Sequence, residues 1–198
     1  DRLLVCLGVR AICDGTRWGV RQMAGRMMVA LVAGFAVITH GASAGDAALE
    51  GWAPPDRATL EALTVRLDYW LDANTAYPSG PPPRILFVSA QEAVTLRGRA
   101  TARYGNGRVR GLYDPKLLTI YLVAPWDYGD LRDASVLLHE MVHHRQQPGR
   151  HWYCPAQQEE VAYRLQEAWL AGHGLESGFY WPAIMLASSC TPGDFHPD

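Results

Sequence analysis

The stretch Leu137-Leu138-His139-Glu140-Met141-Val142-His143-His144 decides how this chain is read. It lies within Ala134 to Gln147, a segment with helical character that has candidate caps at Asp130 and Asp133 and stops at Pro148-Gly149. Residues four apart on a helix sit one above the other, so the imidazoles of His139 and His143 reach a single ion from one face. Glu140 is turned about 100° from His139 and can approach a water on that ion. His144 projects about as far from His143 and is expected beside the site or on the surface. Gln147, four residues beyond His143, is expected to border the cleft.

A catalytic metal held by two such histidines takes a third protein ligand. A ligand six residues after the second histidine would fall on Gly149, which has no side chain, and His151 is offset by two. The next expected helix runs from Pro155 to about Ala171, ends at Gly172 and Gly174, and offers Glu159, Glu160 and Glu167. Val161, Leu165 and Ala168 define its buried stripe, extended on one side by Ala162 and Trp169. Glu159 projects with Ala162, Tyr163, Gln166 and Leu170, toward a mixed apolar and polar surface. Glu160 shares a charged face with Arg164 and Glu167 and has an i,i+4 ion pair available. Glu159 is the first choice for third ligand and Glu160 the alternative, with His151 left open.

Around these two helices the pattern is α+β. Pro54-Pro55-Asp56 opens a helix over Arg57 to Thr75, with Leu60, Leu63, Leu67, Trp70 and Leu71 on its buried face. Arg84 to Val88 is a short β-rich run, and Ser89 can cap a short helix over Ala90 to Leu96. Tyr104-Gly105-Asn106-Gly107 is a turn signal between that helix and a strand over Val109 to Tyr113. Leu117 to Val123 reads as a further strand, giving a small antiparallel or mixed sheet. A last short helix is expected over Tyr180 to Leu186.

The first 44 residues read differently. Met23 to Arg26 introduces the twelve-residue apolar run Met27 to Ile38, followed by the small residues Ala42, Ser43 and Ala44. That order is expected of a signal peptide cut after Ala44, with residues 1 to 22 an over-extended start. The run is too short to span a bilayer comfortably. A single domain over 45–198 remains, exported to the periplasm or beyond and without stable membrane association. Of the four cysteines, Cys154 and Cys190 fall in that domain and are expected to form a disulfide. Neither belongs to a CxxC pair, so a structural cysteine–zinc site has no support.

Composition excludes little beyond nucleic acid. The 198 residues are 48% hydrophobic with a net charge of −2, lysine occurs once, at Lys116, and the arginines are scattered. No clustered basic surface for a phosphate backbone follows from that distribution.

Leu138 to His144 followed by Glu159-Glu160-Val161-Ala162-Tyr163 resembles the gluzincin group of zinc peptidases, especially minimal zincins. It also resembles small membrane-linked proteases whose ligand helix reads E-x-x-A-D. The series Cys154, Glu159, Ala162-Tyr163 and Leu165-Gln166 is similar to exported bacterial HExxH proteins. Tyr163 stands where the family has an aspartate that partners a zinc histidine. The resemblance covers residues 117 to 170. It implies a zincin-like fold, Zn2+ bound by His139, His143 and Glu159, and Glu140 as general base in peptide-bond hydrolysis. It further implies that Leu117 to Val123 is an edge strand receiving a peptide or protein substrate. Tyr163, His151 and His173 are candidate oxyanion donors. The alternative is an exported zinc-binding or protein-interaction domain without catalysis.

Overall fold

Asp56 starts the first helix as expected. Its carboxylate accepts the Thr59 backbone N–H at 3.0 Å and opens α1, Arg57–Asn74, in the computed structural model of the protein. The structure describes residues 4–8 as backbone, and 51–97, 108–148 and 152–190. In chain order the remaining elements are β1 Leu4–Gly8, β2 Arg84–Val88, α2 Ala90–Arg97, β3 Arg108–Asp114, β4 Thr119–Val123, α3 Leu131–Gln146, α4 Gln157–Gly172 and α5 Trp181–Ala187. The α+β class holds. The turn signal at 104–107, the leader residues from 9 to 44, Gly149 and His151 lie outside the described residues.

Ser89 and Glu92 open α2 with a reciprocal cap: the Glu92 N–H donates to Ser89 Oγ at 3.2 Å, and the Ser89 N–H to Glu92 Oε2 at 2.7 Å. Asp130 caps α3 by accepting the Arg132 N–H at 2.7 Å. Asp133, the other candidate, instead binds Arg110 of β3 and the Asp127 N–H, so it ties the start of α3 to the sheet.

The sheet is small and mixed. β4 pairs in parallel with β2 and antiparallel with β3, and β1 adds antiparallel to the outer side of β3, giving the order β1-β3-β4-β2. This corrects the expectation for Leu117 to Val123. The strand begins at Thr119, Leu117 and Leu118 lie in an exposed turn, and β4 has partners on both sides. All five of its residues are buried, the mark of a central strand covered on both faces, so it has no free edge to offer a peptide.

Alternation along the strands divides the core. Ile120, Leu122 and Tyr113 face α1, α3 and α4, whereas Tyr121, Val123, Val109 and Leu112 pack beneath Ala93 of α2. α3 runs through the larger core, with Leu137, Leu138, Met141 and Val142 buried against Leu63, Leu67 and Leu71 of α1. Its far end is tied to α1 by Arg145, itself 2% exposed, which meets Asp68 at 2.6 Å and Asp72 at 2.8 Å. The Cys154–Cys190 disulfide joins the approach to α4 with the residues after α5. Among the described residues no helix is long and apolar enough to cross a membrane.

Candidate metal centre

The expected helical stacking of His139 and His143 is present, and both rings are fully buried. Their Nε2 atoms converge to 3.1 Å. Glu159 comes from the first turn of α4 and places Oε2 3.4 Å from His139 Nε2 and Oε1 3.7 Å from His143 Nε2. The three ligand atoms lie within 4.8 Å of one another and form a group that could hold a metal ion. Glu160 is not part of that group. It turns outward and binds Arg164 at 2.8 Å, the ion pair anticipated from its spacing.

The other ring nitrogens show which protonation state the site holds. Gln166 Nε2 donates to Ser135 Oγ at 2.9 Å, which leaves its Oε1 facing His139 Nδ1 at 3.0 Å. Gln146 Nε2 donates to the Gln158 carbonyl at 3.1 Å, which leaves its Oε1 facing His143 Nδ1 at 2.9 Å. Each Nδ1 therefore carries a proton, and each Nε2 is turned toward Glu159. Two imidazole nitrogens and a carboxylate then converge in a buried space. With both Nε2 atoms unprotonated, as metal binding requires, this arrangement is repulsive unless a cation sits among them.

A proton on His139 serves that purpose poorly. Burial lowers the pKa of His139 below its ordinary 6.5, against the opposing pull of Glu159. Burial alone would raise the Glu159 carboxyl, but His143 and His139 beside it prevail and hold it at about 2. Unprotonated Nε2 atoms beside an ionised carboxylate are the forms that ligate a divalent ion, and burial favours that form of His139, so the residues fit a metal.

Glu140 is buried between α3 and β3. An added Cβ at Gly111 would lie 2.6 Å from Glu140 Oε1 and 2.8 Å from Val136 Cγ1, so this close approach requires glycine. Tyr163 is 3% exposed and packs edge-on against His139, with ring centres 4.6 Å apart, and against Phe179 on its other side. His173 is not part of the centre. Its Nδ1 donates to the Trp169 carbonyl at 2.7 Å, and it follows Glu159 by fourteen residues on one helix, about 20 Å along the axis at roughly 1.5 Å per residue. His144 sits behind the centre, where Nε2 donates to the Pro81 carbonyl at 2.8 Å and Nδ1 meets the Tyr113 hydroxyl at 3.0 Å. Gln147 is exposed and borders nothing here; its neighbour Gln146 is the residue at the centre.

The expected stripe of α4 is also rotated. Ala168 is exposed and Val161 and Leu165 are only half-buried, while Gln158, Ala162, Tyr163, Gln166, Trp169 and Leu170 are buried. Apolar spacing missed this face because two of its buried members are glutamines, one of which, Gln166, bonds His139. Three contributors went unread: Gln146, Gly111 and Arg97. Arg97 closes α2, and burial lowers its pKa while the charges of Glu159 and Tyr163 oppose that shift, so its guanidinium lies within electrostatic reach of both. No spacing rule connects Arg97 with α4, since the two meet only in the folded chain.

Fold and site together define a small α+β domain built around a buried His-His-Glu group. The chain belongs to the family described as Domain of unknown function (DUF6647), whose profile matches residues 56–198. No curated protein and no solved structure matches the chain.

Proposed function

We propose that this domain is an exported zinc-dependent hydrolase of peptide bonds. The observation that carries this reading is the convergence of His139 Nε2, His143 Nε2 and Glu159, with Glu140 on the same helix next to the first ligand. Two histidines and one carboxylate are a donor set that suits zinc and leaves a coordination position open. Zinc bound there supplies a Lewis acid and a water acidified toward neutrality. Glu140 accepts the proton of the attacking water and returns it to the leaving amine. Tyr163 and Arg97 are the donors for the developing oxyanion.

β3, not β4, is the strand beside Glu140, and its outer edge accepts an antiparallel partner. An extended peptide on that edge would run past the carboxylate with its main chain aligned by strand pairing. The Cys154–Cys190 disulfide suits an oxidising compartment and supports a periplasmic or extracellular site of action.

The test uses the purified chain and the variants Glu159→Ala, Glu140→Gln and Tyr163→Phe. One equivalent of zinc should bind and be lost in Glu159→Ala. Glu140→Gln should keep the metal while hydrolysis of a peptide library falls by about 10²- to 10⁴-fold. Tyr163→Phe should keep the metal and lose a smaller part of the rate. Stoichiometric zinc without hydrolysis of any library would leave the alternative, a metal-binding or interaction domain without catalysis.

A further inference from the structure

We infer that Gln146 and Gln166 are positioning residues that hold both metal-binding imidazoles in the Nδ1–H tautomer through neutral amides, without an auxiliary carboxylate. This rests on the metal-site reading above. Both amides are held at their far ends: the Gln158 carbonyl can only accept and so fixes Gln146, while Ser135 Oγ, its own proton given to the Arg132 carbonyl, accepts from Gln166. Both are buried, Gln146 completely and Gln166 to 3% exposure. Such partners set ring orientation and tautomer and typically change metal affinity 10- to 100-fold.

A carboxylate in either place would also add negative charge. With amides, neither partner adds a charge to that of Glu159. The centre therefore keeps more positive character when a divalent ion is bound than one with carboxylate partners. The position where the resemblance calls for an aspartate is filled by Tyr163, whose ring packs against His139 without charge.

The two glutamines differ in what lies behind them, and that difference supplies the test. Ser135 Oγ currently donates to the Arg132 carbonyl at 2.7 Å, but its hydroxyl can rotate to donate to a carboxylate at position 166. Behind Gln146 stands a main-chain carbonyl, which has no proton to donate. Gln166→Glu should therefore be accepted, whereas Gln146→Glu should set two acceptors against each other in a buried space.

The experiment titrates the full chain with zinc against a chromophoric chelator. It also reads the imidazole 15N shifts of the metal-free protein. Gln166→Met and Gln146→Met, which keep side-chain volume, should weaken zinc binding about 10- to 100-fold. In each, the partner histidine should change from the Nδ1–H tautomer to a mixture. Gln166→Glu should bind zinc at least as tightly as the unaltered chain, and Gln146→Glu no better than Gln146→Met. Unchanged 15N shifts and zinc affinities within twofold in both methionine variants would overturn the inference. If a methionine variant does not fold, the two glutamate variants decide, and equal zinc affinity in both overturns it. Failure of the underlying reading looks different: the unaltered chain would bind no zinc, or His139→Ala would bind it undiminished.

Discussion

Gly111 on β3 and Glu140 on α3 approach so closely that a methyl group at position 111 would stand 2.6 Å from the carboxylate oxygen. The same methyl would meet Glu140 Cγ at 2.9 Å and Val136 Cγ1 at 2.8 Å, so turning one side chain would not relieve the overlap. α3 is packed on its other faces by α1 and α4 and has little room to retreat. The carboxylate is therefore held against the strand by the absence of a side chain opposite it. Gly111→Ala should cost about 1–3 kcal/mol of stability, as overpacked cores do. It should also reduce peptide hydrolysis about tenfold or more by displacing the base. Zinc affinity should stay within threefold, because the added methyl would meet Glu140 and Val136 and none of the three ligands. Equal loss of zinc and activity would refute a local effect on Glu140.

The metal-free protein should be sensitive to acid in two stages. Below pH 6.5 the unfolded chain protonates His139, which burial keeps neutral in the fold, so stability falls as pH drops from that value. Glu159, held at about 2 against an ordinary 4.5, adds stability that is complete above 4.5 and is lost as pH falls toward 2. That second contribution is on the order of 3 kcal/mol. Urea unfolding in the presence of a chelator, repeated from pH 7 to pH 3, should show both losses. In Glu159→Gln the extra slope below 4.5 should disappear. An identical profile in the variant would assign the acid sensitivity to other carboxylates.

Much of this centre was legible because helices repeat locally. His139, Glu140 and His143 belong to one helix, so four-residue spacing suffices to place them. Glu159 was reached by asking which face of the next helix could meet them, and the outward pairing of Glu160 with Arg164 followed from the same periodicity. The glutamines were hidden by the assumption that buried stripes are apolar. Gln166 lies on the buried face of α4 because His139 and Ser135 supply its hydrogen bonds, and Gln158 gives its main-chain carbonyl to Gln146. Strand order was harder still. Ile120–Val123 is an unbroken apolar run, which argues for a central strand, but nothing local reveals that β2 joins it in parallel. Arg97 and Gly111 come near the ligands only through contacts between distant segments.

The disulfide should act on the centre as well as on stability. Cys154 is fully buried, its carbonyl accepts the Gln157 N–H at 3.2 Å, and the next residue gives the carbonyl that holds Gln146. Its partner lies 36 residues further on, a loop whose closure is worth about 3–4 kcal/mol in the chain-entropy account. The Cys154→Ala, Cys190→Ala double variant should lose roughly that stability. It should also bind zinc several-fold more weakly, as the first turn of α4 loosens around Gln158 and Glu159. A variant that loses stability but retains full affinity would limit the bridge to a general constraint.

The outer edge of β3 offers the remaining prediction. Leu4–Gly8 pairs there antiparallel, with Cys6 opposite Gly111, the residue that abuts Glu140. Paired strands lie about 4.8 Å apart, so this segment occupies the place an extended substrate would need beside the carboxylate. A peptide and Leu4–Gly8 cannot use the edge together. A chain beginning at residue 45 should then cleave peptides with a KM several-fold lower than the full chain, at the same zinc affinity. A synthetic peptide of the Leu4–Gly8 sequence should inhibit the shortened chain competitively and have less effect on the full one. If both chains show the same KM and the peptide does not inhibit, substrate does not enter along β3, and the docking edge assigned to this domain is wrong even if its metal chemistry stands.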